Sequence, residues 1–235
     1  MTIKFNIGII LAAGNSTRFS NNINEPKQLH ILNGKPIINY SIDAFLAMGS
    51  ERINTIIIVT NTKCYNKILQ IKKEYYNDNT NIICLINNID CRIESMNTAL
   101  KYIKNNKLKP TNVIIHDSAR PFIRKEHLKT LLDLTDLEDF MYSQYYLNLF
   151  NGLLNIETQT FVNRDNYVEI CTPVCINYNL FDYFQTYYIN LRDDNGNRIN
   201  HEFIPIMKEL NIKYKLVEGH YYFLRKITTI DDLII

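Results

Sequence analysis

The sequence predicts an α/β fold: a doubly wound, mostly parallel sheet with a protruding β-arm. Three observations predict it. Apolar strand-like runs alternate with segments of helical spacing through the first half of the 235-residue chain, and that alternation implies right-handed crossovers between parallel strands. Three chemically rich segments, Ala12–Lys27, Asn87–Ser95 and His116–Pro121, each follow a strand, where such a sheet holds its ligands. From about 140 to 170 the rhythm changes to β-like runs around Asn151-Gly152, a hairpin turn signal.

The elements follow in order. Ile7–Leu11, Thr55–Thr60, Ile82–Ile86 and Val113–His116 are short runs rich in β-branched residues, as buried strands require. Between them Ile37–Met48, Tyr65–Tyr76 and Arg92–Ile103 place apolar residues at helical spacing. Tyr145–Phe150 and Thr158–Val162 read as strands of the arm. A polar loop near Asp193–Gly196 leads to a helix over Glu202–Leu210, a strand over Lys213–Val217 and a short final helix from Thr228. The expected organisation is one domain over residues 1–235, with residues of about 140–170 either as a β-arm that packs on a second copy to form a homodimer or as an ordinary edge hairpin.

Bulk properties narrow the function. A net charge of +2 with no basic block gives no electrostatic footprint for nucleic acid. No apolar run approaches the roughly 20 residues of a membrane span, and the N-terminus lacks a signal-peptide pattern, so the expected location is cytoplasmic. Five cysteines, at 64, 84, 91, 171 and 175, fit no zinc spacing and read as free thiols.

The segment Leu11-Ala12-Ala13-Gly14-Asn15-Ser16-Thr17-Arg18, with Pro26-Lys27-Gln28 after it, carries most of the chemistry. Small residues leave backbone N–H groups free to face phosphate oxygens, and Arg18 and Lys27 neutralise the remaining charge. The pattern points to a nucleoside triphosphate. It is neither a P-loop nor a dinucleotide fingerprint, since each needs further glycines at fixed spacing, and this makes a dehydrogenase the weakest alternative.

The other rich segments each have a plain structural reading beside the functional one. Asp90-Cys91-Arg92-Ile93-Glu94-Ser95 precedes a helix: either Ser95 or Glu94 serves the helix N-terminus, or the segment's hydroxyl and backbone groups read a base edge. Asp117 ends a strand beside the triphosphate loop, where a carboxylate suits Mg²⁺, or else pairs with Arg120. His116 reads as a structural strand-end residue. Lys226 precedes a helix start at Thr228 or Thr229, where an acid would be favoured, so a cation there makes sense facing an anion. Arg164 and Thr172 are weaker candidates of the same type.

Taken together these residues resemble the cytidylyltransferases that act on 2-C-methyl-D-erythritol 4-phosphate, and their relatives that act on ribitol 5-phosphate. The likeness rests on Leu11–Gly14 with Arg18, Pro26-Lys27-Gln28, Arg92-x-x-Ser95, His116–Pro121, Arg164, Thr172-Pro173 and Lys226–Thr229, in the family's order over nearly the whole chain. The resemblance implies a Rossmann-like nucleotidyltransferase fold, a dimer formed through the arm, and transfer of a cytidylyl group from CTP to a phosphorylated polyol. It makes Arg18, Lys27, Arg164 and Lys226 the catalytic cations. Leu11, Ala12, Ala13, Gly14, Asn15, Ser16, Asp90, Arg92, Ser95 and Asp117 would hold CTP, Asp117 also Mg²⁺, with Arg120 and Thr172 near the acceptor. Departures fall on the acceptor side: Val174 follows Thr172-Pro173 where the family has Gln, and Leu224-Arg225 stands where it has Asn-Ile. They tilt the expected acceptor toward a surface-polysaccharide precursor, and leave open a different nucleotide or a CTP-binding subunit without catalysis.

Overall fold

Isoleucine supplies both faces of the central strand β1 (Asn6–Ala12): Ile7, Ile9 and Ile10 have no exposed surface. Such a strand is stable only between two layers of helix. The computed structural model describes residues 4–19, 26–137, 140–188 and 203–233. After β1 come the short pair β2 (Ile31–Leu32) and β3 (Lys35–Pro36), then α1 (Ile37–Leu46), β4 (Thr55–Thr60), α2 (Thr62–Tyr76), β5 (Ile82–Ile86), α3 (Arg92–Asn105) and β6 (Asn112–Asp117). The second half adds α4 (Lys125–Leu137), β7 (Tyr142–Asn148), β8 (Leu153–Asn155), β9 (Thr160–Val162), β10 (Val168–Asn177), α5 (Tyr178–Tyr188), α6 (Ile204–Glu209), β11 (Tyr214–Glu218) and α7 (Tyr221–Leu224).

The main sheet runs β11-β7-β10-β6-β1-β4-β5. β1 pairs in parallel with β4 on one side and β6 on the other, so the strand order reverses beside β1. β10 is antiparallel to both β6 and β7, and β11 returns parallel to β7. Two apolar layers cover the faces. One joins Ile38 and Ile42 of α1, Ile68 of α2 and Leu128 and Leu131 of α4; the other joins Met96 and Leu100 of α3, Phe181 and Phe184 of α5 and Met207 of α6. Gly8 lets α1 approach: a Cβ there would lie 2.4 Å from the Phe45 ring. The fold is the expected α/β sheet, mostly parallel with helices on both faces.

The arm is shorter than the sequence suggests. Tyr142–Asn148 belongs to the main sheet, held by β10 and β11, and the arm itself is the two-stranded sheet of β8 and β9. Its turn is not Asn151-Gly152, which lies at the base. The turn follows Asn155, whose carboxamide oxygen accepts from the N–H groups of Glu157 and Thr158, and it closes with Gln159 at φ 54°. Phe150, Ile156 and Phe161 on this arm are 78, 86 and 85% exposed, far beyond what scattered surface apolar residues need.

The sequence reading assigns no element to α4, α5 or β10, although Leu128, Leu131 and Leu132 have helical spacing. Instead of a helix from Thr228, a single 3-10 turn spans Ile230–Leu233. The polar loop near 193–196 and the start of the helix expected at 202 lie outside the described residues.

Candidate functional site

The loops after β1, β5 and β6, with the segment after α7, enclose one cavity of about 380 Å³ beside the reversal in strand order. Its lining includes Leu11 to Arg18, Lys27, Asp90, Arg92, Ser95, Asp117 and Lys226. The structure thus brings together residues spread over more than two hundred positions of sequence.

The loop after β1 is held from beneath. Gln28 is 3% exposed; its amide nitrogen donates to the Ala12 carbonyl at 2.9 Å, and its oxygen accepts from the Ser16 hydroxyl at 3.3 Å. Ser16 Oγ in turn accepts from the Lys27 N–H at 3.0 Å, which seats Lys27 against the loop. Gly14 is exposed, has no positive φ, and an added Cβ would meet no protein atom within 4 Å. The fold does not require glycine there; a side chain would intrude on the cavity instead.

Asn87 shapes the loop after β5. Its carboxamide donates to Ile89 O and Ser95 Oγ, both at 2.9 Å, and accepts from the Ile89 N–H. Ser95 is therefore buried in the loop's base and not a helix cap; the N-cap of α3 is Cys91, which makes no side-chain cap bond. At the rim Asn15 donates to Asp90 at 2.8 Å.

Asp117 sits at the end of β6 between two cations: Lys226 Nζ at 2.8 Å from Oδ2 and Arg92 Nε at 3.8 Å from Oδ1. Burial alone would raise its pKa, but Lys226, Arg92 and Arg120 outweigh it and hold the carboxyl well below the usual range. Lys226 reaches this position because the Ile227 N–H donates to Ala119 O at 2.8 Å and the Arg120 guanidinium donates to the Leu224 carbonyl. Asp232, three residues after Thr229, accepts from the N–H groups of Thr228 and Thr229 and closes the segment behind it. The sequence reading has those threonines as the cap; the acid caps them.

Lys27 has its pKa lowered to about 8, first by burial, then by Lys226; Arg18 adds to the lowering, while Asp117 and Asp232 oppose it. These cations feel one another across a single space, as groups built to receive an anion do. His116, fully buried with Nε2 3.1 Å from Arg120 O, is pushed down to about 4 by that burial and stays neutral. It serves the turn after β6.

Three expected site residues lie apart from the cavity lining. Arg120 is 5% exposed, bonded to Leu224 O and 3.7 Å from Glu169, so it braces the wall. Thr172 accepts from the Asp117 N–H at 3.1 Å, next to the cis peptide that precedes Pro173 and within a bulge of β10. Arg164 is exposed at the arm's return and donates to Phe150 O. Gln28, Asn61 and Asn87 are buried polar residues that shape the site and were not among the expected site residues. The signal for Asn61 is its place one residue before a helix.

The family model described as 2-C-methyl-D-erythritol 4-phosphate cytidylyltransferase matches residues 7–235. A protein of that name from Thermotoga neapolitana is 26% identical over 97% of this chain and 93% of its own length. A bifunctional enzyme IspD/IspF of Pelagibacter ubique is 35% identical over 72% of this chain, which spans only 42% of that longer protein. Among solved structures, 4-diphosphocytidyl-2C-methyl-D-erythritol synthase from Anaerococcus prevotii superposes with a TM-score of 0.70 at 21% identity, over 98% of this chain and 95% of that one.

Proposed function

The chain belongs to the 2-C-methyl-D-erythritol 4-phosphate cytidylyltransferase family and is a CTP-dependent cytidylyltransferase, and from that premise we propose how its own residues act and which acceptor it takes. CTP lies in the cavity, its triphosphate along Ala12–Ser16 and its base and ribose toward Asp90, Arg92, Ser95 and Asp117. The acceptor is 2-C-methyl-D-erythritol 4-phosphate. The names of the relatives favour it over the surface-polysaccharide precursor that the acceptor-side departures suggest.

An acceptor phosphate oxygen attacks the α-phosphorus of CTP in line, the bond to the β-phosphate bridging oxygen breaks, and pyrophosphate leaves. A phosphate monoester has a second pKa of about 6, so the nucleophile is already ionised near neutrality and needs no base. That agrees with a neutral, buried His116. The obstacle is repulsion between two anions. Arg18, Lys27 and Lys226 lower it and stabilise the charge that develops on the transferring phosphoryl group. Arg164 and Thr172 act at the acceptor side, Arg164 from the arm of a second copy, and Arg120 acts by fixing the segment that carries Lys226.

Asp117 suits a divalent cation: it is ionised, lines the cavity and offers hard oxygen ligands. Mg²⁺ there would supply charge neutralisation of the triphosphate. Asp117 would hold the ion, and Lys226, which lines the same cavity, would meet phosphate. Both substrates are small phosphorylated metabolites, which supports a cytoplasmic location; no helix among the described residues is long and apolar enough to cross a membrane.

The observation that carries this reading is the gathering of Arg18, Lys27 and Lys226 around one cavity floored by Ala12–Ser16. The test measures pyrophosphate release with CTP and Mg²⁺ and either methylerythritol phosphate or ribitol 5-phosphate. Higher kcat/KM with methylerythritol phosphate is expected. Preference for ribitol 5-phosphate would overturn the acceptor, and release without any acceptor would overturn the mechanism.

A further inference from the structure

We propose that Gln28 and Asn61 are positioning residues for catalysis, two buried carboxamides that lock the peptide planes of Ala12 and Ala13 so that the next N–H groups face the phosphates. The inference rests on the reading that the triphosphate lies on this loop.

The Ala12 carbonyl accepts from Gln28 Nε2 at 2.9 Å and from Thr60 Oγ1 at 3.3 Å. The Ala13 carbonyl accepts from Asn61 Nδ2 at 3.0 Å. Gln28 and Asn61 are 3% and 6% exposed. In a planar trans peptide the carbonyl and the following N–H point in opposite directions. Tying these two carbonyls inward therefore turns the Ala13 and Gly14 N–H groups outward, toward the cavity these residues line. Neither N–H donates to a protein group among the described residues. Two adjacent free N–H groups on small residues make a concave anion site.

Each carboxamide has a second bond that fixes its orientation. Asn61 Oδ1 accepts from the Cys64 N–H at 3.1 Å as the cap of α2, leaving only Nδ2 for Ala13. Gln28 Oε1 accepts from Ser16, leaving Nε2 for Ala12 and the Cys64 thiol at 3.1 Å. Both bonds anchor the loop to α2, a rigid element that touches no substrate. Preorganised donors of this kind stabilise a charged transition state without reorganising during the reaction.

Asn61→Asp separates the two roles. Aspartate keeps the helix cap, since it caps as well as asparagine, but sets a carboxylate oxygen against the Ala13 carbonyl. Gln28→Met removes the donor to Ala12 at similar volume and without charge. Lys63→Ala, on the exposed neighbouring position, reproduces the net charge change of Asn61→Asp and serves as the control. Expected for both positioning variants is a thermal midpoint close to wild type, a KM for CTP raised by about tenfold or more, as for loss of a hydrogen bond to a charged group, and an acceptor KM that changes little; Lys63→Ala changes neither. CTP kinetics at the wild-type level in both variants would overturn the proposal. So would equal losses for CTP and acceptor, or failure of both variants to fold, either of which makes the carboxamides general supports. Gly14→Ala distinguishes the premise: if it too leaves CTP binding unchanged, the triphosphate lies elsewhere; if it alone weakens CTP, the premise stands and the positioning role falls.

Discussion

Burial and a neighbouring cation act on Lys27 in the same direction. Its ammonium titrates near 8 because burial and Lys226 both disfavour the charged form. The sign of the pH effect follows: raising pH removes the proton and with it the stabilising charge. Expected is a kcat/KM for CTP that declines above about pH 8, since this parameter reports the free enzyme. In Lys27→Arg the decline moves to higher pH, because a guanidinium stays protonated. A profile with the same alkaline limb in both proteins would assign the titration to another group. Lys27→Ala should lower kcat by roughly 10²–10³-fold, the scale for one lost charge-stabilising donor, as measured by pyrophosphate release. At the same scale, Arg164→Ala should raise the acceptor KM severalfold with CTP affinity retained, which calorimetry with CTP alone would check.

β1 and α1 show how an element's packing sets the floor of the site. Gly8 stands where the Phe45 ring of α1 presses on β1, four residues before the strand ends at Ala12. Phe45 is 1% exposed and has little room to withdraw. Gly8→Ala should therefore destabilise by about 1–3 kcal/mol, as overpacked cores do, read as a lower midpoint in denaturant with unchanged slope. The element pattern itself was legible in the chain: β1, β4, β5 and β6 fall within a residue or two of the isoleucine-rich runs. α4 and α5 carry helical spacing that stood out less, and β10 spans Cys171–Cys175, whose apolar character has no clean period. Composition marks Tyr142–Asn148 as a strand but does not say which sheet that strand joins, and it joins the main sheet.

For the whole molecule, the cavity formed by one chain contains three of the four proposed catalytic cations, while Arg164 stands on the arm away from it. An exposed arm carrying Phe150, Ile156 and Phe161 accounts for this if it docks on a second copy and delivers Arg164 to that copy's acceptor side. Ile156→Glu with Phe161→Glu should convert a dimer to a monomer by light scattering, and raise the acceptor KM while the thermal midpoint stays near wild type. A wild-type protein that is monomeric at assay concentrations and fully active would refute the shared site.

The sequence by itself determined the strand–helix alternation, the strand-end position of the rich loops, and the pairing of small residues with Arg18 and Lys27. These are local properties, written in periodicity and residue type over a few positions. The tertiary structure alone decided that Lys226 meets Asp117 across 109 positions, that Arg120 braces a wall, and that Gln28 and Asn61 hold the carbonyls of Ala12 and Ala13. The reason is that a buried polar group is defined by its partner, and partners brought together by crossovers leave no mark in the spacing of either residue.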